Sequence, residues 1–171
     1  WKAVAGRYME SFTRARENRR SMPRGAFGGW TLGRRAYNLP PLRLDHLVRM
    51  TDGTGIFQHA IFNVPNFHEG YCTDDNARAF ILCNLLDEPN ALEPHATSYL
   101  AFLAAAYDPE HVRFRNFMSH GRAWLETFGS EDSHGRAMWA LGTGVARARN
   151  PGHQQLSVHL FELGLPPVND F

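Results

Sequence analysis

Two acidic phrases, each with an arginine four residues after an aspartate, contain the residues whose types and spacing could do chemistry. The first is Asp74-Asp75-Asn76-Ala77-Arg78, and the second is Glu131-Asp132-Ser133-His134-Gly135-Arg136, whose arginine comes 58 positions after the first. Two neighbouring carboxyl groups, one protonated and one ionised, are the acid and base of glycosidic bond cleavage. The candidate catalytic residues are therefore Asp75, Glu131 and Asp132.

The same residues also fit structural roles. Each acidic phrase opens an apolar stretch, where a carboxylate such as Asp74 or Asp132 can cap a helix and contribute about 1 kcal/mol. The arginine four positions later lies on the same helix face and can form a salt bridge with that aspartate. Alternatively, its guanidinium group can anchor a sugar carboxylate or a phosphate. The sequence leaves these roles open.

Aromatic and histidine side chains near the acidic phrases add candidates for substrate binding. Tyr71 and Trp124 fall in predicted loops, where a flat ring with a polar edge can support a sugar ring, whereas Trp139 falls inside a helix and is expected in the core. His134 is either a general base or a hydrogen-bonded structural residue. The candidate substrate-binding residues are Tyr71, Asp74, Arg78, Trp124, His134 and Arg136.

No motif predicts a metal or a cofactor. The histidines show neither HxxxH nor HExxH spacing, and Gly53-Thr54-Gly55 lacks the lysine and hydroxyl of a phosphate loop. Cys72 and Cys83 form no CxxC motif, so they are expected to be buried thiols in a reducing compartment.

Composition favours a globular protein. The chain has 171 residues, 43% of them hydrophobic and 20% charged, with a net charge of +1, so neither nucleic acid nor a membrane is an expected partner. Arginines concentrate near the N-terminus, where we expect a solvated face. No apolar stretch approaches the roughly 20 residues that cross a bilayer, which makes the cytoplasm the expected location. Because residue 1 is Trp, a targeting signal upstream remains open.

Periodicity divides the chain into three regions. Residues 1–20 form an amphipathic helix, residues 21–41 a linker rich in proline and glycine, and residues 42–171 a helical segment. Within that segment, two extended or hairpin stretches, 56–67 and 112–125, alternate with helices. The predicted inner helices are 74–86 and 137–145, and the predicted outer helices are 92–107 and 151–163.

The chain resembles a known family at Glu69-Gly70-Tyr71-Cys72-Thr73-Asp74-Asp75-Asn76-Ala77-Arg78-Ala79 and at 131–142. These phrases are similar to those of a bacterial helical-toroid region found C-terminal to retaining, GT-B type glycosyltransferases, and residues 1–12 are similar to the closing helix of such a transferase. The resemblance implies an all-α fold, an incomplete alpha/alpha toroid of repeated helical hairpins, in a fragment of a longer protein. It also implies that both acidic phrases line a funnel at the inner-helix N-termini.

The predicted function is that of a carbohydrate-active domain that processes glycans, either associated with a glycosyltransferase or similar to a glycoside hydrolase. The alternative is a noncatalytic helical module that binds a glycan or another protein. Expected partners are a glycan, an upstream transferase domain and a second copy that covers exposed apolar faces. Carboxylates that face one shared cavity would favour an enzyme. Carboxylates held by caps and arginines would favour the module.

Overall fold

The computed structural model describes residues 1–21, 41–86 and 92–170, and 62% of these residues are helical. The α-helices are α1 Lys2–Ser21, α2 Asp45–Arg49, α3 Thr73–Leu85, α4 Glu93–Ala106, α5 Glu131–Arg147 and α6 Pro151–Gly164. Two short 3₁₀ helices cover Phe67–Glu69 and Pro166–Asp170. The strands are β1 Ala60–Ile61, β2 Val64–Pro65, β3 Tyr71–Cys72, β4 Tyr107–Asp108, β5 Arg113–Phe114 and β6 Phe117–Met118. The mostly helical fold class is confirmed.

The chain divides into two units, Trp1–Leu42 and Arg43–Phe171. The first unit contains α1, which agrees with the helix predicted for residues 1–20 and has no buried residue. Most of the predicted linker, residues 22–40, lies outside the described residues. The second unit contains the hydrophobic core and all of the predicted site residues.

Four helices build the core of the second unit. Helix α3 packs against α4 and α5, and α5 packs against α6. Small side chains contribute to this core, in which Ala77 of α3 and Ala137 and Ala140 of α5 are completely buried. Further along α5, a Cβ atom on Gly144 would lie 2.4 Å from the Ser157 hydroxyl oxygen of α6. Residues without bulk therefore let these helices approach closely.

Three two-stranded antiparallel ladders connect the helices. β1 and β2 form the hairpin predicted for residues 56–67, with Ile61 paired to Val64. The second predicted hairpin is different: β5 pairs with β4, while β6 pairs with β3, so that Cys72 lies opposite Phe117. Alternation of apolar and polar residues predicts an extended segment but does not choose its partner. The β3–β6 ladder joins the segments that lead into α3 and α5.

Trp139 is not in the core, where the sequence predicted it. It is 59% exposed, because α5 turns a different face, with Ala137, Ala140 and Leu141, toward its neighbours. Trp139 instead shares a face with Arg136 and Thr143, which lie three residues before it and four after it. In the described part of the chain, no helix is both long and apolar enough to cross a membrane.

Candidate functional site

The first turn of α3 is fixed by contacts with the chain before β6. Cys72 is the N-cap, and its sulfur accepts a hydrogen bond from the Asp75 backbone N–H. The Thr73 hydroxyl donates to the Arg115 carbonyl over 2.5 Å, and the Asp74 N–H donates to the Asn116 side chain. Asp74, the predicted cap of the first phrase, does not cap α3, because Cys72 does. The carboxylate of Asp74 is therefore left for other contacts.

Asn76 ties the loop before β1 to this turn. Its side chain is completely buried. The amide oxygen accepts from the Ile56 N–H at 3.0 Å, and the amide nitrogen donates to the Cys72 carbonyl at 2.8 Å. The backbone of Gly55 approaches so closely that a Cβ atom there would lie 2.3 Å from the Asn76 oxygen. Asn76 thus has a structural role and holds residues 55–57 beside α3.

The first turn of α5 is capped by Ser130, whose hydroxyl accepts from the Ser133 N–H at 3.1 Å. His134, a predicted substrate-binding residue, is completely buried. Its Nε2 lies 2.9 Å from the Gly164 carbonyl oxygen at the end of α6. Burial lowers the pKa of His134, because the charged imidazolium loses its hydration. The structure therefore places His134 between α5 and α6, away from solvent.

A chain of alternating charges crosses the N-terminal ends of α3 and α5. On α3, Arg78 bonds both Asp74 and Asp75, the latter at 3.0 Å. On α5, Arg136 Nε lies 3.5 Å from Asp74 Oδ1 and 3.6 Å from Asp132 Oδ1. The order Asp75, Arg78, Asp74, Arg136, Asp132 is called the ion chain below. It brings together five of the nine predicted site residues.

Two of the three carboxylates of the ion chain, those of Asp75 and Asp132, belong to residues that line separate cavities. The first, called the α2 pocket, has a volume of about 390 Å³ and has Asp75, Arg78, Phe57, Gln58 and His46 in its lining. The second, called the α5 groove, has a volume of about 560 Å³. Its lining residues are Arg113, Glu126, Phe128, Gly129, Ser130, Glu131 and Asp132.

Arg136 separates the two predicted catalytic regions. The nearest oxygens of Asp74 and Asp132 lie no more than about 7 Å apart, because both contact the same nitrogen, at 3.5 and 3.6 Å. The guanidinium group, however, lies where a scissile bond or a water would have to be placed. In this arrangement the carboxylates can accept hydrogen bonds from a ligand but do not face each other across an open site.

Tyr71 is buried and Trp124 is half-buried. The Tyr71 hydroxyl donates to Asp52 at 2.6 Å, and burial together with this carboxylate raises the pKa of Tyr71 to about 12. Arg115 lies over the Trp124 ring, 5.3 Å from the centroid, and Phe102 packs edge-on against it. Both residues are less exposed than Trp139.

The sequence did not single out several residues that line the two cavities. Glu126 and Phe128 belong to the α5 groove, and His46 and Gln58 to the α2 pocket. Glu126 and Phe128, an acidic and an aromatic residue shortly before Glu131, could have indicated the α5 groove from the sequence. Nothing in the local sequence indicates the α2 pocket, because its lining residues come from separate segments of the chain. Among the described residues, no cluster of three or more His, Cys, Asp or Glu side chains could hold a metal ion.

Comparison with known proteins identifies no family for this chain. Family models, curated proteins and solved structures all fail to give a significant match. Function must therefore be argued from the site.

Proposed function

We propose that this chain is a noncatalytic glycan-binding helical module, and that the ion chain is its recognition surface. The observation that carries the proposal is the position of Arg136, which bridges Asp74 of α3 and Asp132 of α5. A ligand that reaches these carboxylates finds ordered acceptors and donors, but no open space between two acids for bond cleavage.

The charges favour an uncharged glycan. Three carboxylates and two guanidinium groups leave the ion chain with one excess negative charge, and both arginines already contact aspartates. An anionic sugar would have to compete for these guanidinium groups against carboxylates that the helices hold in place. Sugar hydroxyls both donate and accept, so they match the alternating order of the ion chain.

We also propose a toroidal arrangement of the helices. Contacts of α3 with α5, and of each with the helix that follows it, support an incomplete alpha/alpha toroid with α3 and α5 as inner helices. The resemblance proposed for residues 69–79 and 131–142, which no family model or curated protein matches, motivates a glycan as the proposed ligand. We propose a transferase domain as a partner on the same basis.

Calorimetric titration with neutral oligosaccharides tests the proposal. The 171-residue protein should bind one or more of them, and an oligosaccharide of uronic acids should bind more weakly. Arg136→Met, which removes the bridge, should weaken binding at least tenfold. Gln155→Ala, on the exposed surface of α6, should leave the affinity unchanged and is the control. Failure of the protein to bind any neutral glycan would refute the proposed function.

Glycoside hydrolysis is the second candidate, because the carboxyl groups of Glu131 and Asp132 both belong to residues that line the α5 groove. The titrated mixtures should be incubated and assayed for new reducing ends. The protein would be an enzyme rather than a binding module if it released sugar and if Glu131→Gln or Asp132→Asn abolished this release without loss of binding.

A further inference from the structure

Toward the C-terminal ends of α3 and α5, beyond the ion chain, the two helices expose an apolar groove, called the α3–α5 groove here. It has a volume of about 460 Å³. Its lining is mostly apolar, with one charged residue, and consists of Ile81 and Leu85 of α3, Met138, Trp139, Gly142, Thr143, Ala146 and Arg147 of α5, and Phe161 of α6. Leu85 is 51% exposed and Trp139 is 59% exposed. A large indole surface in water forgoes the hydrophobic stabilisation that burial of this side chain would give. Its exposure therefore indicates a binding surface.

Helical spacing makes the groove continuous with the ion chain. On α5, Asp132, Arg136, Trp139 and Thr143 follow at steps of four, three and four residues, so they lie on one face. On α3, Asp74, Arg78, Ile81 and Leu85 repeat the same steps. At a rise of about 1.5 Å per residue, residues 132 to 143 span about 16 Å. On both helices, charged residues are thus followed on the same face by residues that line the groove.

We propose that Trp139 is the platform on which a pyranose ring of the glycan stacks, while the hydroxyl groups of a neighbouring sugar bond the ion chain. This inference rests on the proposed function and narrows its ligand to a neutral oligosaccharide whose rings expose a face of C–H bonds. The indole ring covers that face, and the Thr143 hydroxyl, which donates to the Trp139 carbonyl at 2.9 Å, borders the groove. A monosaccharide would contact only part of the 16 Å face.

The charges beside the groove favour a sugar over a protein helix. The Asp132 side chain is 72% exposed and the Arg136 side chain 38% exposed. A helix that covered Trp139 along this face would bury these ion-paired groups, and their desolvation is costly. Sugar hydroxyls instead replace the hydrogen bonds that water makes with the same groups.

Three substitutions and calorimetric titration test this inference. Trp139→Leu keeps an apolar side chain but removes the flat ring, and it should weaken oligosaccharide binding at least tenfold. Trp139→Phe should stay within about threefold of the natural protein, because a smaller ring can still stack. Phe62→Leu is the matched control, since Phe62 is 98% exposed at the tip of the β1–β2 hairpin and should have no effect. Monosaccharides should bind more weakly than oligosaccharides.

The outcomes separate the two proposals. If the natural protein binds neutral oligosaccharides and Arg136→Met weakens binding but Trp139→Leu does not, the platform is refuted and the proposed function stands. If the natural protein binds no neutral glycan, the proposed function fails and the platform fails with it. If sedimentation shows self-association that only Trp139→Leu abolishes, while glycan affinity is unchanged, the groove is an interface between copies and the inference is overturned.

Discussion

Asn76→Leu should destabilise the second unit strongly although it removes only one polar side chain. The substitution removes the acceptor of the Ile56 N–H, 3.0 Å away, and the side-chain donor that lies 2.8 Å from the Cys72 carbonyl. As the N-cap residue, Cys72 keeps the first intrahelical hydrogen bond to its carbonyl. One polar group, the Ile56 N–H, is therefore left unsatisfied, and the free energy of unfolding should fall by about 1–3 kcal/mol. Because whole domains have about 5–15 kcal/mol of stability, this loss would be large.

Asn84→Leu provides the matched control in the same helix. Asn84 is half-buried and donates only to the Phe80 carbonyl of α3 itself, so its replacement should cost less than about 1 kcal/mol. Urea unfolding, followed by tryptophan fluorescence and extrapolated to zero denaturant, gives both values. Equal losses for the two variants, or a loss below about 1 kcal/mol for Asn76→Leu, would refute the argument that Asn76 holds the loop to α3.

Three further predictions concern packing and titration. Gly129→Ala should lower the free energy of unfolding, measured by thermal unfolding, by more than about 3 kcal/mol, because its Cβ atom would lie 1.7 Å from the Phe114 carbonyl oxygen. Gly135→Ala is the control: its Cβ atom would meet nothing within 4 Å, so this helical substitution should be stabilising. His111 and Arg115 beside Asp108 lower the pKa of that carboxyl group. The difference in unfolding free energy between the natural protein and Asp108→Asn should therefore be full above the ordinary carboxyl pKa of 3.8. It should decline as the pH falls through the lower pKa of the folded protein. A constant difference down to pH 2 would contradict this prediction. Burial raises the pKa of both thiols, that of Cys83 to about 12, so Ellman's reagent at pH 8 should label neither in the native protein and both in urea; rapid native labelling would contradict the burial.

The local sequence predicted the helices because hydrophobic periodicity acts within a few residues along the chain. The structure has α3 at Thr73–Leu85 and α6 at Pro151–Gly164, each close to its predicted range. The α5 helix begins earlier than predicted, at Glu131, because Ser130 rather than Asp132 caps it. The predicted salt bridges of Asp74 with Arg78 and of Asp132 with Arg136 are present, since four-residue spacing alone places those side chains on one face.

The candidate site was less predictable, because its decisive contacts join residues far apart in the chain. The sequence predicted Tyr71 as a sugar platform and left His134 as either a general base or a hydrogen-bonded structural residue. The contacts of Tyr71 with Asp52 and of His134 with Gly164 hold both side chains inside. It placed Trp139 in the core, and only the packing direction of α5 shows that this ring faces solvent. No local pattern records which side of a helix its neighbours will cover.

By itself, the sequence determined which segments are helical, where the acidic and basic side chains recur, and that each arginine shares a helix face with an aspartate. Only the tertiary structure decided that Arg136 reaches across to Asp74, that Asn76 is a buried brace, and that Asp75 and Asp132 line separate cavities. Spacing along one helix is fixed by backbone geometry. The packing of α3 and α5 in the core depends instead on side chains such as Ala77 and Ala137, whose contacts form only when the whole core packs.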